Sequence, residues 1–184
     1  MTDPDTGPTS LAARLRAGDR DAFEEVFRSN YGRLADYARG LVGSQDVAED
    51  VVQEVFMTLW TKRKKVNSPD NVAAYLFRSV RNRGLNFLRH QRLVRDHRSR
   101  KAAEGVPHAP PADREAEGAE ISAAVRVAVD ALPPRCREVF QLSRDRGLTY
   151  PEIAATLGIS VKTVETLMGR ALKAIRLRLA PFRA

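Results

Sequence analysis

A short window near the C-terminus, residues 148–165, constrains the fold more than any other part of the chain. Thr149 followed three residues later by Glu152 is the pattern of a capping box, which marks the start of a helix. Gly158 can end that helix at low steric cost, and Ser160 can cap a second helix directly afterwards. Two helices joined by so short a turn predict a helix-turn-helix motif.

The second helix of this motif has an apolar side and a polar side. Apolar residues recur every three or four positions and predict the buried side: Val164, Leu167, Ala171, Ile175 and Leu179. Short polar groups at the start of the other side, with cations further along, suit insertion into the major groove of DNA. The predicted DNA-facing residues are Ser160, Lys162, Thr163, Glu165, Thr166, Arg170 and Lys173. A helical hairpin with an ordinary solvated face is the alternative.

The composition favours a polyanionic partner. The 184 residues carry a formal net charge of +8, with an isoelectric point near 10.1. No apolar run approaches the roughly 18 residues of a spanning helix, and residues 1–10 do not resemble a signal peptide. We therefore expect a cytoplasmic protein with no membrane insertion. A single cysteine, Cys136, fits a reducing compartment and is interpreted as a packed thiol.

The chain is predicted to fold as two small all-α domains joined by a flexible linker. Residues 95–118 contain several prolines, alanines and charges but almost no large apolar residue, so they cannot bury enough surface to offset their ordering entropy. They separate a first domain of residues 1–94 from a second of residues 119–184. No strand-like alternation persists anywhere. The predicted helices cover residues 11–17, 22–41, 46–62, 72–92, 121–132 and 135–146, followed by the helix-turn-helix.

Two helices of the first domain carry candidate interaction surfaces. Residues 22–41 are predicted to bury Phe23, Val26, Phe27, Leu34, Tyr37 and Leu41. The helix at 46–62 has an acidic and aromatic exposed set, which fits a protein-docking face and a plain solvated face equally well: Asp50, Gln53, Glu54, Met57 and Trp60. The helix at 72–92 interleaves arginines with aromatic and amide groups, which favours nucleic acid over a solvated basic face.

Three segments together resemble one known family. Residues 49–60, EDVVQEVFMTLW, resemble the helix with which bacterial RNA polymerase sigma factors bind the core enzyme. Residues 74–83, AYLFRSVRNR, resemble the sigma helix that melts and reads the downstream promoter element. Residues 132–140, LPPRCREVF, with the helix-turn-helix after them, resemble the sigma domain that binds the upstream element. A layout of only these two domains is that of the extracytoplasmic-function (ECF) subgroup.

The resemblance implies an alternative sigma factor that binds core polymerase and directs promoter-specific initiation. It implies core RNA polymerase and promoter DNA as partners, and it is compatible with an anti-sigma factor as a further partner. The implied polymerase-binding residues are Asp50, Gln53, Glu54, Phe56 and Trp60. The implied downstream-element residues are Tyr75, Arg78, Arg81, Asn82, Arg83 and Asn86, although the subgroup commonly has Asp where Asn86 stands. Gly169 also departs from expectation, since glycine inside a helix costs about 1 kcal/mol relative to alanine.

No catalytic residues, metal, other cofactor or small-molecule substrate are expected, because no nucleophile, base and orienting group converge in the sequence. One alternative is a helix-turn-helix transcriptional regulator with an N-terminal sensing or dimerising domain, which would bind palindromic half-sites alone. Another is a nucleic-acid-processing enzyme that uses Asp46, Glu49, Asp50 and Glu54 as a metal cluster. These four acids are spread around one helix, which counts against such a cluster.

Overall fold

The structure, a computed structural model, describes residues 10–65, 72–99 and 119–180. The described residues form helices joined by turns and contain no β-strand, as predicted. The chain divides into two compact units between Asp96 and His97, and each is described separately. No helix in the described ranges is both long and apolar enough to cross a membrane.

The first unit contains α1 (Leu11–Ala17), α2 (Arg20–Val42), α3 (Gln45–Thr61), a 3₁₀ turn (Arg63–Lys65) and α4 (Val72–Ser99). Asp19 caps α2, and the backbone N–H of Ala22, together with the Arg14 side chain, lowers the pKa of its carboxyl. Helix α4 is longer than predicted and includes the first five residues assigned to the linker, 95–99. The rest of that predicted linker lies outside the described residues.

The core of the first unit is built from the apolar stripes of its helices. Val26 and Leu34 of α2 and Val55 and Leu59 of α3 are almost fully buried. Helix α4 joins the same core through Phe77, whose ring lies 5.4 Å from that of Tyr37 in α2. Helix α3, with its acidic and aromatic residues, and the basic helix α4 therefore belong to one packed unit.

Helices α2 and α4 lie in close contact at Gly84. A Cβ atom at this position would lie 2.4 Å from Leu41 Cδ2 and 3.4 Å from Val42 Cγ1, both in α2. A β-branched side chain here would require the side chain of Leu41, and with it the local packing between the two helices, to shift. By contrast, a Cβ atom at Gly40 would meet no heavy atom within 4 Å.

We expect Gly84→Val to lower the free energy of unfolding of the first unit by about 1–3 kcal/mol, because overpacking a tight contact strains its neighbours. Gly40→Val is the matched control, since it places the same side chain in open space on an exposed part of α2. Urea unfolding followed by circular dichroism measures both. Equal stability of the two variants would show that the contact at Gly84 does not constrain the packing.

The second unit packs α5 (Ala119–Asp130), α6 (Pro134–Arg144) and α7 (Tyr150–Leu157) around the long α8 (Val161–Arg178). Cys136 is buried in this core and lies in one cluster with Leu132 and Ile175, so the interpretation of a packed thiol is confirmed. Met168 is also buried, although the apolar pattern of the sequence did not single it out. This packing leaves one long side of α8 exposed.

The helix-turn-helix is formed by α7 and α8, and its local signals act as predicted. The backbone N–H of Thr149 donates to Glu152 Oε2 at 2.7 Å, closing the capping box. Gly158 ends α7 in the left-handed conformation with φ of 67°. Ser160 Oγ then accepts the backbone N–H of Thr163 at 3.1 Å and caps α8.

Candidate nucleic-acid interface and docking groove

An aromatic groove of about 760 Å³ lies between α2 and α3. Its apolar lining consists of Phe23, Phe27, Tyr31, Phe56, Met57 and Trp60, and its polar lining of Arg20, Glu49 and Gln53. Phe27 is 37% exposed and Met57 is 62% exposed, so large apolar side chains face solvent along the groove. The prediction that Phe27 points inward is wrong, because its ring stacks on Tyr31 at the groove surface instead.

Trp60 is held at one end of the groove from two sides. Its ring meets that of Phe23 at a centroid distance of 5.1 Å in an edge-on arrangement. The Arg63 guanidinium lies over the indole at 4.6 Å, and Arg63 Nη1 donates to the Trp60 carbonyl at 2.8 Å. The indole is therefore half-buried and fixed in orientation, which lowers the entropy that it would lose on contact with a partner.

The structure divides the predicted polymerase-binding residues between two sides of α3. Gln53, Phe56 and Trp60 line the groove, but Phe56 is only 3% exposed and forms part of its floor beside Phe27. Asp50 and Glu54 are exposed and lie outside the groove lining. The set predicted as one surface is thus an aromatic groove and a separate acidic stripe.

Sequence reasoning missed the contribution of α2 to this groove. Phe23, Phe27 and Tyr31 recur every four residues, which places three aromatic rings along one side of a helix. That spacing could have indicated a surface stripe. The sequence analysis instead assigns Phe23 and Phe27 to the core and does not single out Tyr31.

The predicted downstream-element residues of α4 differ in their exposure. Arg78 and Asn82 are exposed, one turn apart, whereas Tyr75 and Arg81 are half-buried. Asn86 is exposed, and its Oδ1 accepts a hydrogen bond from Arg89 Nη1 at 3.1 Å. The accessible part of the predicted surface therefore centres on Arg78 and Asn82.

Arg83 points to α3 rather than to solvent. Its Nη1 donates to Glu54 Oε2 at 2.5 Å, and its Nη2 donates to Thr58 Oγ1 at 2.6 Å. The Arg83 side chain is 34% exposed. Glu54 and Arg83 are thus each other's partners, and the polymerase contact of Glu54 and the DNA contact of Arg83 stay predictions.

The predicted upstream-element residues all lie on the exposed side of the second unit, at the start and along the outer face of α8. Several engage one another: Lys162 Nζ lies 3.5 Å from Glu165 Oε2, Thr166 Oγ1 donates to the Lys162 carbonyl, and Ser160 Oγ lies 2.8 Å from Thr163 Oγ1. Arg170 and Lys173 continue the same face as exposed cations. A carboxylate, hydroxyls and cations on one helix can contact base edges and phosphates.

Gly169 lies on this same exposed face of α8. A Cβ atom at this position would meet no heavy atom within 4 Å. Packing inside the described part of the unit therefore does not require glycine there.

In the described ranges, no group of three His, Cys, Asp or Glu side chains is arranged to hold a metal ion.

Comparison with known proteins shows the family to which the chain belongs. A family profile described as Sigma-70 region 2 matches residues 26–94, and one described as Sigma-70, region 4 matches residues 122–175. The chain is 30% identical to the RNA polymerase sigma factor NccH of Alcaligenes xylosoxydans xylosoxydans, over 93% of each protein. It is 29% identical to the ECF RNA polymerase sigma factor SigE of Mycolicibacterium smegmatis, over 95% of this chain and 69% of the relative.

Solved structures agree with this placement. The chain matches CnrH, solved in complex with the cytosolic domain of CnrY, with a TM-score of 0.62 and 28% identity, over 93% of this chain and 96% of that one. It matches the sigma factor RpoE of Bartonella quintana, solved with the anti-sigma factor NepR, with a TM-score of 0.63 and 25% identity, over 88% and 98%. The two matched regions, in this order and on this fold, show that the chain belongs to the RNA polymerase sigma factors of the ECF subgroup and acts as an alternative sigma factor in promoter-specific transcription initiation.

Proposed function

We propose that the groove between α2 and α3 is the face with which this sigma factor docks on core RNA polymerase. The groove presents aromatic and methionine side chains to solvent, and such residues dominate the binding energy of protein interfaces. Trp60 is its anchor, because the indole is already oriented by Phe23 and Arg63. Gln53 lines the same groove as a polar rim contact, and Asp50 is exposed on the same helix outside the groove lining.

The exposed face of α4 around Arg78 and Asn82 receives the downstream promoter element as a single strand. A guanidinium can hold the phosphate backbone, and a carboxamide can hydrogen-bond the edge of an unstacked base. Tyr75 and Arg81 are half-buried beside them and supply an aromatic ring and a further cation. Extruded bases that bind here offset the few kcal/mol lost on unstacking.

The exposed face of α8 binds the upstream element in the major groove. Glu165 accepts from a cytosine amino group, while Arg170 addresses guanine or phosphate and Lys162 and Lys173 hold phosphates. Ser160 Oγ serves the helix cap first, since it accepts the backbone N–H of Thr163, and the Thr163 hydroxyl lies 2.8 Å from it. Sequence preference therefore depends mainly on Glu165 and Arg170.

The chain works as a binding subunit and not as an enzyme, in the cytoplasm, where polymerase and chromosome are found. An anti-sigma factor is a further partner of this chain. This follows from two similar sigma factors: CnrH was solved with the cytosolic domain of CnrY, and RpoE with the anti-sigma factor NepR. The aromatic groove is the surface that such an inhibitor would have to cover in order to block docking.

The observation that carries the proposal is the presence of the two sigma regions, each with its own exposed surface. It is tested by transcription in vitro with core polymerase, with and without this chain, on a library of genomic fragments. We expect a defined set of new start sites that require the chain. Tight binding of a palindromic duplex by the free protein, without such start sites, would favour the helix-turn-helix regulator instead.

Replacing Glu165 by alanine is expected to relax base preference at one position of the upstream element by about 1–3 kcal/mol, because a base contact is lost. Its 3.5 Å pair with Lys162 is exposed and contributes little to folding. Lys173→Ala is the comparison, since loss of a phosphate contact weakens all sequences alike. Holoenzyme binding to a randomised upstream library at fixed salt measures both, and an unchanged preference in Glu165→Ala would remove Glu165 from the base-reading residues.

A further inference from the structure

Arg83 connects the two helices to which separate tasks are assigned. Glu54 and Thr58 stand one turn apart on α3, and both terminal nitrogens of the Arg83 guanidinium donate to them, at 2.5 and 2.6 Å. The partners are 29 and 25 residues away in sequence, so the contact is tertiary. A two-point contact of this kind fixes the sliding and the rotation of one helix against the other, which a single point charge does not.

The same contact turns Arg83 away from a strand that binds α4. Arg78, on the same helix, is exposed and can reach a phosphate without breaking a contact to α3. Arg83 would first have to leave both acceptors on α3. We propose that Arg83 is a positioning residue for promoter opening, which holds the strand-binding face of α4 in place against α3 and does not contact DNA. This inference rests on the proposed function of α3 and α4.

Glu54 acquires a different role by the same argument. Its side chain is 64% exposed, yet its carboxylate is occupied by Arg83 and not directed into the groove. The adjacent residue Gln53 lines that groove. Helix α3 therefore carries the docking groove on one side and the attachment of α4 on another, so that docking and opening share one rigid element.

Non-additivity is the signature of such a contact. Arg83→Ala removes both contacts to α3, so removing Glu54 as well loses nothing further, whereas Glu54→Ala alone leaves the contact to Thr58 in place. If instead Glu54 contacted polymerase and Arg83 contacted DNA, the two losses would multiply. The experiment compares Glu54→Ala, Arg83→Ala and the double variant in holoenzyme at saturating polymerase, with permanganate reactivity of the downstream element as the readout of opening.

We expect Arg83→Ala to open promoters roughly two- to tenfold less well, Glu54→Ala to show a smaller loss, and the double variant to match Arg83→Ala. Arg83→Lys keeps the charge but lacks the fork that spans two acceptors, so it should resemble Arg83→Ala. The exchanged pair Glu54→Arg with Arg83→Glu should recover part of the opening. Thermal unfolding should stay close to wild type, because the ion pair is largely exposed.

The salt dependence of DNA binding shows whether Arg83 positions α4 or contacts DNA itself. Removing a phosphate contact to a single strand lowers the slope of log affinity against log salt by about 0.7. Arg78→Ala should show this change in holoenzyme binding to a single-stranded downstream element, and Arg83→Ala should not. Three results would overturn the inference. They are a lowered slope of log affinity against log salt in Arg83→Ala, losses of opening that multiply in the double variant, and normal opening by Arg83→Lys. Normal opening by Arg78→Ala and Asn82→Ala would instead refute the proposed role of α4.

Discussion

Trp60→Ala is expected to weaken binding to core RNA polymerase by roughly 30- to 1000-fold, the range for an aromatic hot spot worth about 2–4 kcal/mol. The physical reason is that the indole is half-buried and oriented between Phe23 and Arg63 before docking. Its removal would leave the end of the groove without a fixed anchor. Binding of fluorescently labelled core enzyme to the variant and the wild type measures the loss.

Because Trp60 also packs inside the first unit, a second variant keeps the test independent of folding. Met57→Lys places a charge in the groove at a side chain that is 62% exposed, so the fold should persist while docking is lost. Glu24→Ala is the control, since Glu24 is exposed on α2 but does not line the groove. Wild-type affinity in both Trp60→Ala and Met57→Lys would move the docking face elsewhere.

Asn82→Ala and Arg78→Ala are each expected to reduce promoter opening by roughly 5- to 150-fold, the equivalent of about 1–3 kcal/mol for a hydrogen bond lost to a base edge or to a phosphate. The effect should fall on opening alone, because Asn82 can bind a base edge only after the duplex separates and Arg78 holds the phosphate backbone of the separated strand. Closed-complex formation should persist. Permanganate reactivity of the downstream element measures opening, and filter binding at low temperature measures the closed complex.

Arg28→Ala is the matched control, since Arg28 is exposed on α2 and lies outside both proposed surfaces. It should leave both measurements unchanged. Loss of closed complexes in the α4 variants, with opening unaffected among the complexes that remain, would make this face a duplex-binding surface and remove its proposed role in melting.

The parts of the fold that could be predicted are those governed by short-range chemistry. Helix caps depend on contacts between residues that are close in sequence, so they can be recognised from the sequence alone. Examples are Ser160, the capping box of Thr149 and the left-handed Gly158. The helix-turn-helix and its outer face followed from these signals together with the period of the apolar residues. The length of α4 was not predicted correctly. The predicted end was residue 92, but no helix-breaking residue stands there and the helix continues to Ser99.

The groove and the ion pair between α3 and α4 could not be predicted, because they depend on which side of each helix packs against another helix. The pattern that assigned Phe27 to the core cannot show that α3 leaves a groove beside it. The pair between Glu54 and Arg83 joins residues on different helices, and each alone has the character of a surface contact. Local periodicity identifies faces, but tertiary packing decides which face remains free.

Trp60 is the only tryptophan in the chain, and it stands at the end of the docking groove under the Arg63 guanidinium. Because Trp60 lines this groove, an occupant is expected to change the polarity around the indole and to shift its emission. Occupation of the groove by a partner that has no tryptophan of its own can thus be followed by the fluorescence of the unlabelled protein.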